Sequence, residues 1–107
     1  MALIRLIPRA EKRKEMVELL TRIESQARLR FGCASSSVLA EIPPGRAILY
    51  VETWLSEEEL HRHIQSDLYL WTLAAMELAS ESPEVYFHRI SETKGLEMVG
   101  SLRGSAQ

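Results

Sequence analysis

The sequence predicts a small α+β domain with a ferredoxin-like β-α-β-β-α-β order and an antiparallel sheet. Three observations predict it: an apolar stripe with helical spacing over residues 10–30, a pair of apolar strands over 33–54, and a second helical region that leads into an alternating segment. With 107 residues, 46% hydrophobic and 26% charged, the chain has room for one globular domain.

The first strand is predicted over residues 2–7, which are mostly apolar and end at Pro8. The next segment changes period, and its apolar residues recur at steps of three and four, which predicts an amphipathic helix over about 10–30. Gly32 is its predicted stop. The predicted buried stripe is Met16, Leu19, Leu20, Ile23 and Ala27.

A hairpin is predicted over residues 33–54, with strands at 33–42 and 47–54. The intervening Pro-Pro-Gly-Arg suits a type II turn, in which Gly45 supplies the positive φ. The apolar run over residues 47–51 predicts that both faces of the second strand are covered.

Ser56 and Glu59 form a capping-box pattern that starts a helix ending near residue 65. Ser66 and Asp67 are predicted to cap a second segment, which runs to about residue 79. The break at 80–83 then leads into a last strand over 84–91. The second segment is apolar on more than one side, with Leu70 and Leu73 turned away from the main face, which predicts contact with a partner or a ligand.

A sheet with helices on one face needs a cover on the other, and a second copy of so short a chain supplies one. We therefore expect a homodimer. The domain is predicted to span residues 1–92. The tail, 93–107, is rich in Gly and Ser but keeps some apolar residues, and it either packs on the partner subunit or frays.

Charge and composition argue against nucleic-acid and membrane partners. Residues 1–30 hold eight Lys/Arg against four Glu, and this alternation indicates helix-surface pairing and no nucleic-acid partner. No apolar run approaches the roughly 20 residues of a membrane span, and no signal peptide is visible. With its single cysteine, Cys33, the chain is predicted to be cytoplasmic.

A family resemblance rests on the run Tyr50-Val51-Glu52-Thr53-Trp54, on Ser56-Glu57-Glu58-Glu59-Leu60, and on His63 followed by Ser66-Asp67-Leu68-Tyr69. These segments resemble the antibiotic biosynthesis monooxygenase (ABM) domains over about residues 2–92. The resemblance implies a dimeric α+β barrel and a cofactor-independent monooxygenase for a small aromatic quinol or polyketide. It leaves open a non-catalytic dimer that binds a hydrophobic small molecule.

Heme degradation, a third activity found among similar domains, relies there on an Asn, a Trp and a His. This sequence contains no Asn, which argues against that route. The glycine fingerprints of nucleotide sites and the spacings of zinc sites are also missing, so no cofactor or metal is predicted.

His63 is the predicted catalytic base, because an imidazole titrates near neutral pH. The alternative is a surface histidine paired with Glu59 or Asp67. His61 lies on another side of the same helix, so the two cannot chelate one metal.

The predicted substrate-binding residues come from three elements. Glu52 and Trp54 share one strand face with Ile48 and Tyr50, and the Glu52 carboxylate needs a partner, either Arg5 or another basic group. The second helical segment is predicted to give a cavity wall, and the last strand a histidine. The remaining predicted residues are Tyr69, Trp71, Met76 and His88.

Overall fold

The computed structural model describes residues 1–43 and 46–104. It contains a four-stranded sheet in the order β2-β3-β1-β4, and the sheet is antiparallel, as the sequence predicted. The strands are β1 (Ala2–Leu6), β2 (Cys33–Ala40), β3 (Ile48–Trp54) and β4 (Glu84–Phe87). The α+β class and the ferredoxin-like arrangement are therefore confirmed.

Three helices cover one face of the sheet: α1 (Arg13–Arg28), α2 (Glu57–Ile64) and α3 (Leu68–Met76). A 3-10 turn at Ala10–Lys12 precedes α1, which packs against β2 and α3. Gly32 follows α1 with φ +87°, and a Cβ there would lie 2.5 Å from Glu59 Cγ on α2. Glycine is thus needed both for the turn and for the close approach of α2.

The main core lies between β1, β3 and α1. Four of the five residues predicted for the α1 stripe are fully buried, and the fifth, Leu19, packs partly buried against them. Alternate side chains of β1 and β3 point toward this stripe because side chains alternate across a strand. The core cluster is Ile4, Leu6, Met16, Leu20, Ile23, Ile48, Tyr50 and Ala75.

The opposite side of the sheet is called the open face below, and no helix within residues 1–43 and 46–104 packs on it. Its members come from all four strands and are partly or largely accessible in the single chain. The prediction that both faces of β3 are covered is therefore met on one face only within this chain. The apolar side chains of the open face are Leu3, Leu39, Leu49, Val51 and Tyr86.

The predicted caps are only half correct. Ser56 Oγ accepts a hydrogen bond from the Glu59 N–H at 3.2 Å, but the Glu59 carboxylate pairs with Arg62 and does not return to Ser56. Asp67 makes no capping hydrogen bond, because its backbone is already helical where a cap would be extended. Ser66 Oγ instead donates to the His63 carbonyl at 2.6 Å.

Two segments differ from the predicted bounds near the C-terminus. The last strand ends at Phe87, because its pairing with β1 ends where Phe87 faces Ala2. The tail contains a short helix, α4 (Leu96–Leu102), which the sequence analysis missed and whose large apolar side chains are exposed. The predicted turn at Pro44 and Gly45 lies outside the described residues.

Candidate functional site

Glu52 is the centre of a buried polar cluster beneath the helices. It lies on β3, where alternation turns Tyr50, Glu52 and Trp54 toward the same side. Glu52 is 2% exposed, and its Oε2 accepts a hydrogen bond from the Tyr50 hydroxyl at 2.6 Å. Its Oε1 accepts one from Trp54 Nε1 at 3.0 Å. The carboxylate is therefore held by donors on both oxygens.

His63 completes the buried cluster from α2, together with Tyr69 of α3. Its Nε2 lies 3.1 Å from Glu52 Oε2, although the ring is not aligned for a linear hydrogen bond. The imidazole stacks on Trp54 with centroids 4.6 Å apart, and Tyr69 meets it edge-on at 5.5 Å. Its Nδ1 is buried and has no hydrogen-bond partner within residues 1–43 and 46–104.

The electrostatics of the buried cluster favour one negative charge on Glu52. Burial alone raises the pKa of Glu52, but His63, Tyr50 and Trp54 more than offset this, so the pKa is below its usual value. Burial, with the nearby Glu52 carboxylate, raises the pKa of Tyr50 and of Tyr69. Both phenols therefore stay protonated while Glu52 is ionised at neutral pH.

A groove lies next to the buried cluster, between α2 and the chain that follows β4. Its volume is about 830 Å³. Trp54 lines the groove and stacks on His63, so its ring contacts both the groove and the buried cluster. Arg89 forms an ion pair with Glu57 of α2, 2.5 Å apart, which joins two walls of the groove. Its other walls are Leu60, His61, Ile64, Phe87, His88 and Ile90.

The structure brings together four of the predicted site residues: Glu52, Trp54, His63 and Tyr69. His88 lines the groove. Neither Trp71, which is 40% exposed, nor Met76, which packs against the main core, lies among the residues of the cluster or the groove.

Two further expectations about partners are corrected. Arg5 is not the partner of Glu52, because it lies on the open face and pairs with Glu41 and Glu84, both at 2.8 Å. His63 is not a surface histidine paired with Glu59 or Asp67, because it is 4% exposed.

Tyr50 was not predicted as a partner of Glu52, although it donates a hydrogen bond to its carboxylate. The two-residue spacing on one strand face could have revealed it.

Within the part of the chain that the structure describes, no three His, Cys, Asp or Glu side chains are placed to hold a metal ion. No helix there is long and apolar enough to cross a membrane.

No protein-family model and no curated protein matches the sequence. Solved structures do match. A protein from Deinococcus radiodurans, described as a candidate antibiotic biosynthesis monooxygenase, is 19% identical with a TM-score of 0.77, over 90% of this chain and 98% of that one. A protein from Nitrosomonas europaea with the same description is 12% identical with a TM-score of 0.76, over 85% and 97%.

A third structure, Rv0793 from Mycobacterium tuberculosis, is 24% identical with a TM-score of 0.74, over 87% of this chain and 96% of that one. At such identities the likeness concerns the fold. The chain therefore has the fold of the antibiotic biosynthesis monooxygenases, in agreement with the resemblance seen in its sequence.

Proposed function

We propose that the protein is a cofactor-independent monooxygenase that oxidises a small aromatic quinol or polyphenol with O₂. The observation that carries the proposal is the buried His63, which lies beside the ionised Glu52 and stacks on Trp54, a residue that lines an 830 Å³ groove. The groove takes the substrate and His63 takes its proton. Perturbed titratable groups beside a largely apolar groove are typical of a catalytic site.

The reaction requires little from the protein. Loss of the phenolic proton to His63 gives an electron-rich anion, which passes electrons to O₂ and then forms a carbon–oxygen bond at a ring carbon that bears hydrogen. Loss of water leaves a quinone, so that one oxygen atom enters the product and the other leaves as water. The four electrons that reduce O₂ all come from the substrate.

The groove walls suit a planar aromatic ligand. Trp54 offers a ring face, and Leu60, Ile64 and Phe87 offer apolar contacts. His63 is not among the residues that line the groove, so it does not touch the groove directly in this state. We propose that the Trp54 ring turns aside when the substrate binds, which opens the path to His63.

The test is oxygen uptake with a panel of reduced quinols and anthrones, comparing wild type with His63→Gln. We expect kcat/KM to fall on the order of 100-fold, the lower end of what a general base contributes. Trp71→Phe is the control, because Trp71 lies outside the groove, and we expect its rate to match wild type. Wild-type uptake no faster than the uncatalysed reaction across the panel would contradict the proposal.

The other two histidines decide whether the base is correctly assigned. His61 and His88 both line the groove. If His61→Gln or His88→Gln abolished uptake while His63→Gln did not, the base would lie on the groove wall and the role given to His63 would be wrong.

A second candidate, a non-catalytic dimer that binds a hydrophobic small molecule, is favoured by the same apolar groove walls. The chain contains two tryptophans, so Trp71→Phe leaves Trp54 as the only reporter. Quenching of its fluorescence by a quinone, weakened by Ile90→Glu at the groove, would establish binding there. Quenching without oxygen uptake would select this second function.

We also propose that the functional unit is a homodimer joined through the open face of the sheet. Leu49, Val51 and Tyr86 are partly or largely accessible there, and burying them against a second copy is favourable. The exposed α4 extends this proposal, because Leu96 and Leu102 gain cover if the tail lies on the partner. Truncation after Glu92 should then weaken dimerisation measured by sedimentation.

A further inference from the structure

We infer that Glu52 is a positioning residue that fixes the tautomer of His63, with hydrogen on Nε2 and the proton-accepting lone pair on Nδ1. The inference rests on the proposed function for its catalytic consequence, but the tautomer itself is a property of the free protein. It assigns the reacting atom within the site and predicts how a single amide substitution reverses it.

His63 Nε2 faces a carboxylate oxygen. Glu52 Oε2 lies 3.1 Å away, and an ionised carboxylate can only accept hydrogen bonds. A lone pair on Nε2 would face the negative oxygen and be repelled. Hydrogen on Nε2 is favoured instead, even though the contact is not linear. The lowered pKa of Glu52 agrees with an ionised carboxylate.

The other ring nitrogen, Nδ1, has no hydrogen-bond partner among the described residues. In the neutral ring, hydrogen on Nε2 leaves a lone pair on Nδ1. That atom is buried, and no described side chain or backbone group bonds it. The ring is also held in place, with Trp54 stacked on one face and Tyr69 against it edge-on. An unpaired acceptor in a fixed ring suits a ligand that donates a hydrogen bond, such as a phenolic hydroxyl.

Replacing Glu52 with Gln should reverse the tautomer of His63, because the hydrogen-bond partners of residue 52 decide which end of the new amide faces the imidazole. Trp54 Nε1 can only donate, and it faces Oε1, so the amide oxygen of the glutamine must take that position. The amide NH₂ then takes the position of Oε2, beside Tyr50 and His63. The Tyr50 hydroxyl can turn to accept, but His63 Nε2 must also accept, which moves the ring hydrogen to Nδ1.

The experiment is a long-range ¹H–¹⁵N correlation spectrum of the three histidines, recorded at rising pH until the imidazole signals no longer change. Wild type should show His63 with hydrogen on Nε2, and Glu52→Gln with hydrogen on Nδ1. Glu41→Gln, on the open face, is the matched control and should leave the His63 signals at their wild-type positions. Hydrogen on Nδ1 in wild type, or an unchanged tautomer in Glu52→Gln, would overturn the inference.

A double variant tests the proposed cause of the reversal, and the wild-type tautomer stays measurable even if Glu52→Gln disturbs the fold. Trp54→Phe removes the donor that orients the amide, so Glu52→Gln with Trp54→Phe can turn its oxygen toward His63. We expect the wild-type tautomer to return in this double variant. A tautomer that stays on Nδ1 would show that the amide orientation does not control the ring.

Kinetics separate this inference from the proposed function. Glu52→Gln should lower kcat/KM on the order of 100-fold, with KM little changed, because it removes the base without altering the groove. A reversed tautomer with unchanged oxygen uptake would keep the inference and reject His63 as the base. If the tautomer stayed unchanged in Glu52→Gln while oxygen uptake was lost, the inference would be rejected and His63 would remain the candidate base.

Discussion

The two faces of strand β3 differ in what covers them. Toward the helices, Ile48, Tyr50, Glu52 and Trp54 are all buried within the single chain. On the open face, their neighbours Leu49, Val51 and Thr53 are only partly covered. Since the side chains simply alternate, one strand supplies both the centre of the candidate site and the centre of the proposed subunit interface.

The carboxylates on the two faces also differ in their partners and in their exposure to solvent. Glu52, on the helix side, is held by the neutral donors Tyr50 and Trp54 and by His63. Glu41, at the open face, is held by Arg5, and that pair is about 30% exposed. The buried carboxylate is shielded from salt and bonded within the cluster, whereas the surface pair is accessible to water and ions. The candidate site therefore lies on the face that the chain covers by itself, and the proposed interface lies on the other.

The largest expected effect is a difference in stability between substitutions on the two faces of β3. Ile48→Ala should lower the free energy of unfolding by about 2–5 kcal/mol, because it leaves a cavity in the main core. Leu49→Ala, one residue further on, should cost clearly less at low protein concentration, where the open face meets water. Urea denaturation at two protein concentrations measures both. Equal losses at low concentration would show that the open face is covered within one chain.

The next effect concerns assembly. If the proposed dimer forms, Val51→Glu should raise its dissociation constant at least about 10-fold, because the substitution buries a charge in the proposed interface. Leu73→Glu is the control, since Leu73 is 46% exposed on α3 away from the sheet. Sedimentation velocity over a dilution series measures both variants. Dissociation caused by Leu73→Glu alone would move the interface to the helices.

Much of the fold could be predicted because its elements carry local signals. The period of three and four along α1 and the continuous apolar run of β3 depend on neighbouring residues alone. The end of β4 could not be predicted, because it depends on where β1 stops pairing with it. The failure at Asp67 has a similar cause, since a residue type that favours capping does not fix the backbone conformation that capping requires.

For the candidate site, the sequence predicted which residues belong to it better than it predicted which of them contact one another. The spacing of Glu52 and Trp54 placed both on one face, and the family resemblance added His63 and Tyr69. That His63 is the basic partner of Glu52, and that Arg5 is not, depends on which face of the sheet α2 covers. Such a distinction is a property of tertiary packing, which neither residue's immediate neighbours encode.

A pH series sharpens the contrast between the two carboxylates. Because the pKa of Glu52 is lowered on folding, its contribution to stability is complete above the ordinary glutamate value of 4.5 and is lost as the pH falls through the folded value. Wild type should therefore lose more stability than Glu52→Gln on acidification, by about 1.4 kcal/mol for each unit of the shift. Urea denaturation at neutral and acid pH measures the difference. Parallel curves would mean that Glu52 is not stabilised as an anion.

The smallest expected effect is a response to salt that distinguishes the faces without any substitution. The Arg5 guanidinium lowers the pKa of Glu41 through hydrogen bonds at an accessible surface. At about 1 M salt the screening length falls to roughly 3 Å, so the pKa of Glu41 should move toward its ordinary value. Glu52 is buried among protein donors, and its pKa should stay low under the same conditions. Carboxyl titration by NMR at low and high salt measures both groups. Equal shifts would mean that salt reaches Glu52, and therefore that the cluster opens to solvent through the Trp54 wall.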